Sequence, residues 1–204
     1  MFCTKCNKSG TTGISKKYLI CIQMLVILLL SFTHSSALSY LNAKGSRLYD
    51  DRGHEVRITG VNWFGFETSN LGPHGLWARD YHGVLLQIKS LGFNLVRIPF
   101  CNTMLRDGAE VNSINFYGKD PFYERDITEL NKELEGLSPL EMMDEILRFA
   151  ESIGLAVMLD NHSREPDGYM NELLWYTGKT SHKQWIDDWV MLAKRYSNNK
   201  AVIA

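Results

Sequence analysis

An arginine and a histidine stand where two predicted strands end, and together they could hold a carboxylate. Arg97 lies inside the apolar run 95–100, and His162 follows a second apolar run at 155–160. A guanidinium inside a buried strand is costly unless a carboxylate or a substrate oxygen meets it. An arginine and a histidine together at strand ends suit a site that binds a carboxylate by charge and hydrogen bonds. Each residue alone also fits a structural role, Arg97 with its head in water and His162 as a hydrogen-bonded loop residue.

Four aromatic residues fall in predicted loops on the same side of the molecule: Trp63, Trp77, Trp175 and Tyr176. Aromatic faces beside Asn, Asp and His suit sugars, whose rings are apolar on their faces and carry hydroxyls at their edges. The alternative is that each ring anchors its own loop to the protein. The pattern therefore indicates carbohydrate binding without deciding which ring contacts the sugar.

The sequence contains no motif typical of phosphate binding, Ser/His/Asp catalysis or metal binding. There is no glycine-rich phosphate loop, Ser/His/Asp set or metal-ligand cluster, and Cys3-x-x-Cys6 has no second pair. Asp160 stands two residues before His162, which indicates a buried carboxylate or one that orients the histidine. We therefore predict neither a metal nor a cofactor.

The first 37 residues have the layout of a secretory signal peptide. Four lysines precede the apolar run 18–32, and Ser35-Ser36-Ala37 then offers small residues for cleavage. The apolar run has 15 residues, fewer than the roughly 20 that a membrane-spanning helix needs. We predict cleavage after Ala37, an extracellular protein of residues 38–204, and no membrane association after cleavage. An uncleaved signal anchor is the alternative.

Composition is that of one globular domain, with 45% hydrophobic and 22% charged residues in a chain of 204. The net charge of −1 and the lack of a basic stripe argue against nucleic-acid binding. Of four cysteines, only Cys101 lies beyond the predicted leader, so no disulfide forms within residues 38–204.

Periodicity predicts strands that alternate with helices. A hairpin at 40–63 leads into the first strand, and helices begin at Asp80, at the capping box Ser138–Glu141 (residues 138–141), and at a second capping box at 181–184. Gly92 and Gly154 end the first two helices. The buried positions predicted for the helices are Val84, Leu85, Ile88, Leu91, Leu140, Met143, Ile146, Leu147, Ala150, Trp185, Trp189, Leu192, Ala193 and Tyr196. Irregular loops occupy 101–137 and 163–180, and a fourth strand starts at Ala201.

This order predicts a parallel α/β sheet, and the polar residues at the strand ends favour a (β/α)8 TIM barrel, whose site lies at that edge. Only about three βα units and the start of the fourth strand are present. A doubly wound sheet is the alternative, but residues 60–65 do not match the glycine pattern of a dinucleotide-binding turn.

Several blocks of sequence, in order, resemble glycoside hydrolase family 5, the cellulase family, and especially its secreted endo-β-1,4-glucanase-like members. The blocks are RITGVNWFGFET at 57–68, HGLWARDY at 74–81, QIKSLG at 87–92, RIP at 97–99, NSINFY at 112–117, LDNH at 159–162 and LWYT at 174–177. The resemblance covers nearly all of residues 38–204.

The resemblance implies a (β/α)8 barrel that hydrolyses β-glycosidic bonds with retention, acting on a β-linked polysaccharide such as a β-glucan or mannan. It places Arg97 beside the nucleophilic glutamate and His162 near the cleaved bond, both as active-site support. It places Trp77 in the sugar-binding cleft, with Trp63 as a further candidate contact.

Both catalytic glutamates of the family are expected beyond Ala204, one in an Asn-Glu-Pro stretch after the fourth strand and the other after the seventh. We therefore expect the 204-residue chain, as the amino-terminal half of such an enzyme, to hydrolyse no glycosidic bond. A non-catalytic carbohydrate-binding protein and a product without any role are the alternatives. An open barrel edge at Ala201 would also favour self-association.

Overall fold

The computed structural model describes residues 40–122 and 130–204. The predicted leader at 1–37 lies outside the described residues. Within them no helix is long and apolar enough to cross a membrane.

A small antiparallel sheet precedes the main fold. Its strands are β1 (Asn42–Lys44), β2 (Arg47–Tyr49) and β3 (Glu55–Val56), with β2 in the middle. The turn at 50–53 that joins β2 to β3 is organised by Asp50, whose carboxylate accepts the backbone N–H groups of Arg52 and His54. The hairpin predicted within residues 40–63 is confirmed, with β2 and β3 as its two arms.

The main sheet is parallel and has the order β4–β5–β6. Its strands are β4 (Gly60–Asn62), β5 (Leu95–Cys101) and β6 (Ala156–Ser163). The register pairs Asn62 with Arg97 and Arg97 with Met158. Because β5 is buried along nearly its whole length, it reads in sequence as a continuous apolar run, which is typical of a central parallel strand.

Residues 201–204 continue this sheet beyond β6. The backbone N–H of Val157 donates to the Ala201 carbonyl at 2.7 Å, and the N–H of Ile203 donates to the Val157 carbonyl at 3.0 Å. Val202 forms a parallel bridge with Val157. The predicted start of a fourth parallel strand is therefore confirmed.

Three helices connect the strands, and their caps follow from local sequence. They are α1 (Tyr81–Ser90), α2 (Pro139–Ile153) and α3 (His182–Arg195). Asp80 caps α1, and Ser138 with Glu141 forms the predicted capping box of α2. Gly154 ends α2 in the left-handed conformation, with φ of 69°, where a side chain would be strained.

Two helical predictions need correction. Leu91 lies outside α1 and is 67% exposed, and Ala193 on α3 is exposed rather than buried. Trp185 and Trp189 are half-buried, because α3 packs on the sheet by a narrow stripe centred on Leu192. The second capping box is half formed, with Ser181 accepting from the Gln184 N–H.

The hydrophobic core lies between the helices and the sheet. It combines β-strand residues such as Val96, Ile98 and Val157 with the inner stripe of α2. In that stripe Met142, Met143, Ile146, Leu147 and Ala150 are fully buried. The sheet is thereby held as a rigid base whose carboxyl edge presents the polar residues described next.

Candidate active site

Arg97 and Asp160 face each other across neighbouring strands. Asp160 lies two residues beyond Met158, the register partner of Arg97, so the two side chains leave the sheet on the same face. The Arg97 Nη2 donates to Asp160 Oδ2 at 2.5 Å, and each side chain is 29% exposed. The guanidinium of Arg97, which would be costly to bury alone, is thus paired with a carboxylate of the same chain.

His162 joins this pair through the same carboxylate oxygen. Its Nδ1 lies 2.8 Å from Asp160 Oδ2 and 3.2 Å from Arg97 Nη2. A guanidinium can only donate, and a carboxylate can only accept. The shorter contact therefore assigns the proton to Nδ1, which donates to Asp160 beside Arg97. The second ring nitrogen, Nε2, is then the one that can accept a proton or a hydrogen bond. We call these residues the Arg97–Asp160–His162 cluster.

The cluster confirms one sequence prediction and refines another. Asp160 orients His162, as predicted, although it is partly exposed rather than buried. His162 does not follow β6 but lies within its last residues, because β6 runs on to Ser163. The strand itself therefore fixes the direction of the histidine.

Trp77 and Trp63 occupy different environments in the loop that follows β4. Trp77 is 50% exposed, and its ring meets the ring of His74 edge-on at 5.4 Å between centroids. Trp63 is 7% exposed, and its Nε1 donates to the His74 carbonyl at 2.9 Å. Trp77 thus keeps an open face for a ligand. Trp63 instead packs in the core and supports the loop, which is the alternative that the sequence left open for each of these rings.

Comparisons with known proteins agree with the geometry. The family model Cellulase (glycosyl hydrolase family 5) matches residues 49–204. The chain belongs to glycosyl hydrolase family 5. It is 37% identical over 169 residues to an endoglucanase of Paenibacillus polymyxa, covering 83% of this chain and 39% of that protein.

Solved structures of family 5 endoglucanases are also similar to this chain. The catalytic domain of the major endoglucanase from Xanthomonas campestris pv. campestris superposes with a TM-score of 0.69 at 36% identity, covering 80% of this chain and 43% of that one. An endocellulase variant from Pyrococcus horikoshii, in complex with cellotetraose, gives a TM-score of 0.68 at 36% identity over 82% and 42% of the two chains. This family 5 chain therefore spans about two fifths of the length of these three relatives. The predicted (β/α)8 barrel class is confirmed, and the four parallel strands are a part of such a barrel.

A buried asparagine that the sequence analysis missed holds the loop that carries Trp77. Asn131 is 0% exposed, and its Nδ2 donates to the carbonyls of Leu76 and Arg79, at 3.0 and 2.9 Å. Its Oδ1 accepts from the Tyr81 N–H at 3.0 Å. One side chain thus fixes the backbone on both sides of Trp77. No local pattern signals this role, because the contacts join residues about 50 positions apart.

A second polar network, behind the sheet, ties α3 to the strand ends of this family 5 fold. Asp188 on α3 is 7% exposed and forms a bidentate ion pair with Arg106. It also accepts from Asn102 Nδ2 at 2.6 Å, and Asn102 Oδ1 accepts from Asn161 Nδ2 at 2.9 Å. Because Asn161 precedes His162, the network holds the β6 backbone from the helix side while the cluster occupies the opposite face.

Within residues 40–122 and 130–204 no group of three His, Cys, Asp or Glu side chains could hold a metal ion. Cys101 is buried, and desolvation raises the pKa of its thiol to about 11, so it stays protonated and unreactive at neutral pH.

Proposed function

We propose that this chain forms the amino-terminal side of the substrate cleft of a secreted, retaining β-glucanase. The observation that carries the proposal is the Arg97–Asp160–His162 cluster at the carboxyl edge of a family 5 parallel sheet, beside the half-exposed ring of Trp77. The substrate class is a β-1,4-linked glucan, supported by the cellotetraose complex of the Pyrococcus horikoshii relative.

The roles of the residues follow from their atoms. Trp77 offers its face to the apolar face of a glucose ring. Arg97 has donors left beyond the one used by Asp160, and these can bind a second carboxylate and keep it ionised. His162, with Nδ1 committed to Asp160, presents Nε2 to a sugar hydroxyl or to a reacting carboxylate. These are binding and positioning roles.

Retaining hydrolysis needs two carboxylates about 5 Å apart, one to protonate the leaving oxygen and one to attack the anomeric carbon. Asp160 is already engaged by Arg97 and His162. The family resemblance assigns both reacting glutamates to stretches that residues 1–204 do not contain. The chain on its own therefore binds β-glucan without cleaving it, and a carbohydrate-binding role is the second candidate function.

One experiment tests binding and cleavage separately. The full chain is titrated with cellotetraose and followed by NMR, then incubated with soluble β-glucan, mannan and aryl β-glycosides. We expect saturable binding that is lost in Trp77→Ala and kept in Trp63→Phe, with no turnover above blank. Turnover that vanishes in Asp160→Ala would show that Asp160 is a reacting carboxylate. Absence of binding to any sugar would contradict the proposal.

Secretion is proposed on the leader at 1–37. A Xanthomonas campestris relative at 37% identity is named a major extracellular endoglucanase. Amino-terminal sequencing of protein recovered from the medium should begin at Leu38. Recovery of the intact leader in a membrane fraction would instead support the signal anchor.

A further inference from the structure

An unusually apolar surface lies in the loop after β6, which we call the aromatic loop (residues 168–177). Large apolar side chains, of types that are usually buried, are exposed there. They are Tyr169, Met170, Leu173, Leu174, Trp175 and Tyr176. Contiguous exposed apolar patches often mark ligand-binding or protein-binding surfaces.

The middle of the loop is anchored by a nearly buried carboxylate. Glu172 Oε2 accepts from the backbone N–H and from Nε of Arg164, both at 2.7 Å, and Oε1 accepts from the Glu165 N–H at 2.8 Å. Burial raises the pKa of Glu172, but these backbone hydrogen bonds and the Arg164 guanidinium outweigh it and lower the pKa. An ionised Glu172 thus pins the loop to the end of β6.

The far end of the loop is closed in a similar way. Thr177 Oγ1 donates to Glu165 Oε1 at 2.9 Å and accepts from the Thr180 N–H at 3.0 Å. The Thr177 N–H donates to the Thr180 carbonyl at 2.8 Å. Because Glu172 and Thr177 are both held, the exposed side chains at 173–176 are displayed from a defined backbone, which lowers the entropy lost on binding.

The ring of Trp175 is held by its edge and leaves a face open. Its Nε1 lies 2.6 Å from Nδ1 of His182, and the Tyr176 ring meets it edge-on at 5.5 Å. Trp175 is 46% exposed and Tyr176 is 42% exposed. A fixed indole with its polar atom already satisfied is suited to stack on an apolar face, and sugars present such faces.

The aromatic loop lies on the same edge of the sheet as the cluster. The Tyr169 ring is 5.4 Å from the His162 ring. Trp185, in the first turn of α3, donates to Asn161 Oδ1 at 2.7 Å, so α3 begins beside the end of β6. Trp77 follows β4 and Trp175 follows β6, with Arg97 on β5 between them.

We propose that Trp175 and Tyr176 form a second sugar platform, which binds a β-glucan unit on the side of the cluster opposite to Trp77. The inference rests on the proposed function and adds to it a preference for longer chains. Glu165, beside Lys179 with 4.0 Å between Oε2 and Nζ, supplies polar atoms for the sugar hydroxyls at the base of the platform. Substrates that reach only Trp77 do not use this platform.

A length series tests the proposal on the full chain. Cellobiose, cellotetraose and cellohexaose are titrated into the parent chain and into Trp175→Ala, Trp77→Ala and Leu173→Ser. Leu173 is the matched control, because it belongs to the same loop and is 95% exposed but offers no ring. We expect Trp175→Ala to weaken cellohexaose binding about tenfold, with little effect on cellobiose. Trp77→Ala should weaken all three, and Leu173→Ser none.

Two results would overturn the platform while sparing the proposed function. One is binding that depends on Trp77 and is equally tight for every length. The other is a cellohexaose affinity unchanged in Trp175→Ala, or reduced equally in Leu173→Ser. Loss of self-association in both loop variants, with sugar binding intact, would show that the loop is a protein contact instead. Failure of all sugars to bind the parent chain would refute both proposals.

Discussion

Arg97 and Asp160 lie on adjacent parallel strands and form an ion pair, with 2.5 Å between Nη2 and Oδ2. Both side chains are partly exposed, so desolvation costs less than in a fully buried pair. Asp160 Oδ2 also accepts from His162 Nδ1. Asp160 therefore governs the orientation of two residues that face the proposed substrate, although it is not itself assigned to the reaction.

Replacing Asp160 with Asn should release His162. The amide oxygen can still accept hydrogen bonds but lacks the negative charge that strengthens the contacts with Arg97 and His162, so we expect a loss of about 1 kcal/mol in unfolding free energy. The ¹⁵N chemical shift of the His162 Nδ1 should move toward that of an exposed histidine. Asp187→Asn, on the outer face of α3, is the control. An unchanged His162 signal would show that β6 alone orients the ring.

Arg97→Lys tests whether turnover depends on the positive charge of Arg97 or on the planar shape of its guanidinium. Lysine keeps the positive charge but cannot bind two carboxylates in one plane. Residues 49–204 are grafted in place of the matching segment of the Xanthomonas campestris catalytic domain, and kcat and KM are measured on soluble β-glucan. We expect kcat to fall about 100-fold or more with KM little changed. An unchanged kcat in a folded, active graft would assign Arg97 a structural role.

Much of the scaffold could be predicted because it is determined locally. The caps at Asp80, Ser138 and Ser181 involve residues within three positions, and the apolar run at 95–100 identifies a buried strand without reference to anything else. Arg97 and His162 could be singled out because a polar or charged side chain at the end of a buried strand needs a hydrogen-bonding partner.

What the sequence did not show depends on distant contacts. Asn131 is one polar residue in a long irregular loop until folding brings Leu76 and Arg79 to it. Trp63 and Trp77 look alike in sequence, and both contact His74 in the structure. Only the packing of Trp63 in the core distinguishes its buried ring from the half-exposed ring of Trp77. Ala193 has helical spacing but falls beyond the narrow stripe that α3 buries.

Two neighbouring aspartates on α3 should differ sharply in their effect on stability. Asp188 is buried against Arg106 and Asn102, whereas Asp187 pairs with Lys183 on the surface, and its side chain is 59% exposed. Asp188→Ala should lower the unfolding free energy by about 3–5 kcal/mol, since it leaves Arg106 without its partner. Asp187→Ala should change it by about 0.5 kcal/mol or less. Urea unfolding of both variants makes the comparison, and equal losses would contradict the role of the network.

The anchor of the aromatic loop should depend on pH. The pKa of Glu172 is lowered in the folded chain, so its contribution to stability is fully present above its ordinary pKa of 4.5 and is lost as pH falls through the folded pKa. Glu172→Gln should therefore reduce stability at pH 7, and the gap from the parent chain should narrow as the pH falls below 4.5 and through the lower folded pKa. Glu110→Gln, an exposed position, controls for net charge. A gap that is constant from pH 7 to pH 3 would contradict the anchor.

The edge formed by residues 201–204 should drive self-association of the 204-residue chain. These residues form backbone hydrogen bonds with β6 on one side. Residues 202–204 also line an apolar groove of about 390 Å³ with Trp189, Leu192 and Tyr196. Unpaired strand edges beside apolar surface are templates for further pairing. Sedimentation velocity should show dimers or larger species, with binding of a hydrophobic dye. Ile203→Lys should reduce both, whereas Asn198→Lys, on the exposed turn before the strand, should not. A monomeric parent chain with a sharp two-state melt would contradict an open edge.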